Sequence, residues 1–265
     1  PVAPAASVKY TIMSFRDRFL SIPPVTKNLL IINTLIFIVM WLVPSLGVTL
    51  QSYGGLYYFT SDQFFPWQLV TYMFIHANFW HLFFNMFSLW MFGALIERTM
   101  GSPRFLGYYI GCGLGAALIQ EGIFALMINH YASLFADPSA VCEMLRHSYY
   151  NTDTAYMLGV NMSDPAVISL IGLYHVSTVG ASGAIYGILL AFGFLYPQMR
   201  IYLLFPPIPM KAATAVIVFA AIELLLGVYN SQADTVAHFA HLGGMLVGLL
   251  ILLWWRKTGT VRRIY

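Results

Sequence analysis

Charge is what this chain has least of. Only 9% of its 265 residues are Asp, Glu, Lys or Arg, whereas 59% are hydrophobic and the mean hydropathy is +0.73. A soluble domain carries about 25% charged residues. Fewer than half as many cannot coat a water-facing globule, which argues against a soluble domain and for a polytopic membrane protein. The net charge of +3 is small and gives no reason to expect a nucleic-acid partner. Cysteine is scarce as well: Cys112 falls in an apolar run and Cys142 in a loop, so no bridge is expected between them. The opening stretch PVAPAASVKYTIMSFRDRF is polar and precedes the first apolar run. No cleavable signal peptide or organelle transit signal is visible in it, so a bacterial cytoplasmic membrane is expected.

Long apolar runs are abundant. Six approach the ~20 residues that cross a bilayer as a helix: 28–45, 79–98, 104–129, 179–198, 211–229 and 236–255. They are continuous rather than alternating, which favours helices over a closed barrel. The expected fold is therefore an all-α integral membrane protein with a bundle of six transmembrane helices. Lys9, Arg16, Arg18 and Lys27 precede the first run; Arg98 and Arg104 follow the second; Arg200 and Lys211 follow the fourth; Arg256, Lys257, Arg262 and Arg263 follow the sixth. Of the basic residues, Arg146 alone falls on the other side, so the positive-inside rule puts both termini in the cytoplasm. The expected organisation is a cytoplasmic segment 1–27, a membrane domain 28–255 and a basic tail 256–265. Two long outer loops interrupt the domain, 46–78 and 130–178. In the second, ADPSAVCEMLRHSYY fits a short helix with Asp or Ser at its start.

An ionisable group inside a span is costly to bury and is a functional candidate by default. Three clusters stand out. His81 and Asn85 are four apart at the start of the second run, on one helical face. Ser182 in GASGAIYG opens the fourth, with Tyr186 one turn on. AHFAHLGG opens the sixth, with His238 and His241. All three runs go from outside to inside, so the clusters share a layer roughly 5–10 Å below the outer boundary. Glycines flank Ser182 (Gly180, Gly183, Gly187) and follow His241 (Gly244, Gly248). Small residues let helices approach closely in lipid, bringing serine and imidazole together.

A serine hydroxyl becomes nucleophilic when a base takes its proton, and histidine suits that task near neutral pH. No carboxylate lies at matching depth on these three helices, and Asp234 is expected in the headgroup region. The expectation is a two-residue Ser182–His241 arrangement. His81, Asn85 and the unpaired backbone N–H of Ser182 would receive an oxyanion. His238 is the competing base, nearer water. His76 is expected to brace the outer loop or hold water. Glu97 and Arg98 are expected to pair structurally, and Glu121 and Glu223 to be hydrogen-bonded structural groups. A zinc site from His76, His81, His238 and His241 leaves Ser182 and Asn85 unexplained, so no metal or other cofactor is expected. A transporter would place its carboxylates near the midplane.

HANFWHLFFN, GASGAIYG and AHLGGMLVG stand in this order on the second, fourth and sixth runs. Together they resemble the rhomboid family of intramembrane serine proteases, over about residues 27 to 257. The resemblance implies that Ser182 is the nucleophile, His241 the base, His81 and Asn85 the oxyanion-hole lining, and Tyr186 a ring stacked on the base. It implies cleavage of single-span membrane substrates near the outer ends of their helices, without metal. A non-catalytic rhomboid-like protein that binds transmembrane helices is the alternative. Two features depart from the family pattern: Trp67-Gln68 stands where Trp-Arg is frequent, and 130–178 is longer than in compact members. That loop would sit beside the site and shape substrate access. Its deletion is expected to change which members of a substrate panel are cut; an unchanged pattern would count against the role.

Overall fold

The computed structural model describes residues 20–147, 152–202, 209–229 and 237–260. It is predominantly helical, and five helices are long and apolar enough to cross a membrane: α1 (Pro24–Leu42), α4 (Phe79–Met100), α5 (Ser102–Ala132), α10 (Ala212–Tyr229) and α11 (His238–Lys257). The fourth apolar run differs from the expectation. Its helix, α9, spans Ser182–Leu195, only 14 residues. The residues before it are extended and pair with the outer loop. Leu56 and Thr178 exchange backbone hydrogen bonds, and the Gly180 N–H donates to the Tyr72 carbonyl. Apolarity cannot distinguish such a paired segment from another helical turn.

The first outer segment also contains more helix than expected. Val43 separates α1 from Pro44, which opens α2 (Pro44–Gly54). Proline has no N–H to give the preceding turn but is tolerated at a helix start. A short helix, α3 (Gln68–Thr71), leads through a 3₁₀ turn at Tyr72–Phe74 into α4. Gln68, which follows Trp67, is completely buried. Its Nε2 donates to the Gln63 carbonyl at 2.9 Å, and its Oε1 accepts from the Tyr57 N–H at 3.3 Å. An uncharged amide thus ties this loop together. Glu121 holds the same loop from α5, accepting the Phe59 N–H at 2.8 Å.

The 130–178 segment folds into helices α6 (Pro138–Arg146), α7 (Thr152–Met157) and α8 (Pro165–His175). Asp137 caps α6 by accepting the Ala140 N–H, and Asp164 caps α8 by accepting from Ala166. Capping oxygens satisfy N–H groups that a helix start leaves unpaired. Val141, Leu145, Val167 and Leu170 form a satellite core with Ile128 of α5 and Tyr58 of the outer loop. The insertion is therefore seated on the bundle.

Glu97 does not pair with Arg98. Its carboxylate accepts the N–H groups of Val25 and Thr26, at 3.0 and 2.7 Å, and the hydroxyls of Thr26 and Ser102. It thereby caps α1, where a negative charge also meets the favourable end of the helix dipole. Arg98 donates to the Ser21 carbonyl.

α9 sits among α5, α10 and α11. Its approach to α11 requires glycine: a Cβ at Gly244 would lie 1.9 Å from the Gly183 carbonyl oxygen. Backbone cannot yield as a flexible side chain can, so the helices would have to separate. Overpacking of this kind costs about 1–3 kcal/mol or more. Gly107, exposed on α5, has no atom within 4 Å of such a Cβ. Gly244→Ala is expected to lower the thermal midpoint of the purified protein by several degrees, and Gly107→Ala to leave it unchanged or slightly raised. Equal midpoints in the two variants would contradict the packing account.

Candidate active site

Ser182 is the first residue of α9, after Ala181 at the N-cap, rather than several residues inside the helix. The first helical hydrogen bond runs from the Ile185 N–H to the Ala181 carbonyl. The N–H groups of Ser182, Gly183 and Ala184 thus have no acceptor within the helix. His241 is the fourth residue of α11, and its Nε2 lies 2.7 Å from Ser182 Oγ. Tyr186, one turn beyond Ser182, stacks on the His241 ring with centroids 4.2 Å apart and planes 8° from parallel. The expected serine, histidine and aromatic ring are therefore in contact.

Asn78 caps α4 by accepting the His81 N–H at 2.9 Å, fixing the turn that carries His81. The His81 ring reaches the loop before Ser182. A Cβ on Gly180 would come within 2.5 Å of His81 Nε2, and Gly180 has φ +117°, where a side chain is strained. Gly180 is thus needed both for backbone shape and for the space His81 occupies. Asn85 Nδ2 donates to the His81 carbonyl at 2.9 Å, leaving the second amide hydrogen as a free donor. His81, Asn85, Ser182, Tyr186 and His241 all line one cavity of about 1420 Å³. Ile168, Leu173 and Val176 from the outer insertion and its exit line it too.

His76 is not on that cavity wall. It is buried behind His81, ring against ring with centroids 5.1 Å apart, and neither ring nitrogen makes a well-formed hydrogen bond. It therefore braces His81 rather than holding the loop through a polar contact.

The expected two-residue arrangement has a carboxylate beside it, from α10 rather than from the three helices considered for it. Glu223 is buried, and its Oε2 lies 3.0 Å from His241 Nδ1 and 2.5 Å from His238 Nδ1. Its Oε1 accepts the Tyr186 hydroxyl. The contact to His241 is close, but the oxygen lies well off the direction of the ring N–H. His238, the competing base, is thus a partner of this carboxylate. Asp234 lies outside the described residues. Glu223 stands on α10, outside the three helices that carry the other groups. It lies six residues from the end of α10, roughly 9 Å along the axis, a depth like that expected for Ser182 and His241.

Glu223, His238 and His241 also place three ligand atoms within 4.8 Å of one another, a set chemically able to hold zinc. The carboxylate oxygens already accept hydrogen bonds in this arrangement, so a metal would have to displace those protons. The earlier four-histidine grouping is not formed as such, because His76 and His81 stand together and His238 and His241 meet Glu223 instead.

Burial, then the neighbouring His81, push His76 down from its ordinary 6.5 to about 3. Below pH 6.5 the unfolded chain takes up a proton that the folded one refuses, so stability falls as pH drops from about 6.5 toward 3. His76→Phe is expected to lose less of its thermal midpoint than the parent between pH 7 and 4. Identical losses would remove His76 as a source of acid sensitivity.

The family model described as the Rhomboid domain matches residues 63–257. Mitochondrial rhomboid protein 1 of Saccharomyces cerevisiae is 26% identical over 244 residues, covering 88% of this chain and 56% of the yeast protein. Rhomboid protease AarA of Providencia stuartii is 27% identical over 186 residues, 70% of this chain and 54% of its own. Rhomboid protease GluP of Bacillus subtilis is 29% identical over 127 residues, 46% of this chain and 24% of its own. The chain thus spans about half the length of the yeast and Providencia proteins, and less of the Bacillus one. With most of its length matched and its apolar helices described, this chain is an integral multi-pass membrane protein that belongs to the rhomboid family.

Proposed function

We propose that this chain is an intramembrane serine endopeptidase that cuts single-span membrane proteins in or near the outer ends of their transmembrane helices. The observation that carries the reading is the 2.7 Å contact between Ser182 Oγ and His241 Nε2 at the wall of the large cavity. The two come from distant parts of the chain and meet at the reach of a nucleophile and its base. Relatives named rhomboid protease support the activity.

In this reading α9 completes a bundle of six helices with both termini cytoplasmic. Arg256 and Lys257 close α11 at its C-terminal end, which supports a cytoplasmic position for that end. Ser182 and His241 sit near the opposite ends of their helices, so the cavity opens to the outer face. The membrane domain 28–255 carries the activity, between the segment 1–27 and the tail 256–265. The bacterial relatives support a bacterial cytoplasmic membrane; the yeast relative is mitochondrial.

Ser182 Oγ attacks the carbonyl carbon of a partly unwound substrate segment as His241 Nε2 takes its proton. The oxyanion is received by the Ser182 N–H and by donors from His81 and Asn85. His241 then protonates the leaving amine, and water from the outer face hydrolyses the acyl-enzyme. Neutral His241 is the working base in this reading. The cavity wall contributed by α8 supports a role for the insertion in substrate choice.

Purified protein is expected to cut a generic single-span substrate in the presence of a metal chelator. Ser182→Ala and His241→Ala should each lower kcat about 10⁴-fold or more, while His238→Ala retains measurable cleavage. Loss in His238→Ala alone would reassign the base. Wild-type binding of the substrate helix without cleavage would establish a non-catalytic binder instead.

A further inference from the structure

We infer that Glu223 is a positioning residue for His241, so that the site works as a serine–histidine–glutamate relay with its acid supplied by α10. The inference rests on the serine-protease reading above and adds a member to its machinery. Three polar groups from two other helices converge on this one carboxylate. Tyr186 gives its hydroxyl hydrogen to Oε1, His238 Nδ1 stands 2.5 Å from Oε2, and His241 Nδ1 stands 3.0 Å from the same oxygen.

An ionised carboxylate can only accept hydrogen bonds. Facing Nδ1 of both histidines, it selects the tautomer that carries the proton there. For His241 this leaves Nε2 bare and aimed at Ser182 Oγ, which is the form a general base must have. The opposite tautomer would present an N–H to the serine and could not take its proton. When Oγ bonds to the substrate carbonyl carbon, the hydroxyl proton moves to Nε2 and the ring becomes an imidazolium. Its positive charge then faces Glu223, and the proton leaves with the amine product. Glu223 keeps its own charge throughout.

The geometry also explains why the contact is off-axis before substrate arrives. Oε2 is shared, and the shorter of its two histidine contacts goes to His238. Catalytic hydrogen bonds are often poorly aligned in a free enzyme and tighten as charge develops. Tyr186 joins the two halves of the arrangement, holding the carboxylate by its hydroxyl and the His241 ring by its face.

Glu223→Gln and Glu223→Asp separate positioning from folding. In Glu223→Gln the amide can offer an N–H to His241 and impose the wrong tautomer. Its kcat is expected to fall about 10²-fold or more, with KM within about threefold. Glu223→Asp, which restores the acceptor on a shorter arm, should recover at least tenfold of that loss. Labelling of Ser182 by a fluorophosphonate reads the serine and its base without a peptide substrate, and should slow in parallel with kcat. The titratable groups around His241 and Glu223 are His81 from α4, Tyr186 from α9 and His238 from α11.

A folded Glu223→Gln that labels and cleaves at the wild-type rate would overturn the inference while leaving the protease reading intact. So would equal losses in Gln and Asp variants accompanied by equal drops in thermal midpoint, since those mark a packing role. A wild-type protein that neither labels nor cleaves would instead defeat the reading on which the inference rests.

Discussion

Everything at the site depends on how closely two helix backbones approach. The Gly183 carbonyl occupies the space where any side chain on Gly244 would begin. That contact lies one residue beyond Ser182 and three beyond His241. Lipid tails supply no hydrophobic drive for helices to associate, so close van der Waals packing must do so. The packing that stabilises α9 against α11 is therefore the same packing that brings Oγ to Nε2. The glycines need no separate catalytic role to be indispensable; they set a separation, and the chemistry follows from it.

Much of this was legible in the sequence, for local reasons. Tyr186 is one helical turn from Ser182, so a shared face follows from the period of the helix, and the ring is found on His241. His81 and Asn85 follow the same rule and reach the same cavity. The start of α9 was not legible. Val179 and Gly180 are as apolar as a helix requires, but their backbone neighbourhood is set by Leu56 and Tyr72, more than a hundred residues away. Gln68 was visible as a departure, yet its role depends on carbonyls that only the folded loop assembles. Glu223 is the most instructive omission. Its depth could be estimated from α10 alone, whereas the rotation of α10 that turns it toward the two histidines depends on its packing against α9 and α11.

The polar contacts in this bundle are divided by place. Glu97 caps the first helix at one end of the fold, while Glu121 holds the outer loop from the side of α5. Glu223 holds no backbone; its partners are a tyrosine and two histidines beside the serine. A buried carboxylate is tolerable when donors meet it; Glu97 and Glu223 each meet several, whereas Glu121 meets the Phe59 N–H on Oε2 and leaves its Oε1 without a partner. The donors differ, and that difference separates a carboxylate that organises structure from one suited to tuning a reactive ring.

The shortness of α9 has a consequence for the surrounding lipid. Fourteen residues rise about 21 Å, against a hydrocarbon thickness of about 30 Å. On the proposed topology the helix cannot reach both headgroup layers, and its unpaired first-turn N–H groups would be insupportable in contact with acyl chains. Water would on that topology descend to meet it, through the cavity walled by protein. On that topology the bilayer would be thinnest where the serine stands, and hydrophobic mismatch would become a property of the site. A substrate helix arriving there would find its outer turns leaving hydrocarbon for a hydrated hollow, where backbone groups freed by unwinding can be solvated at once.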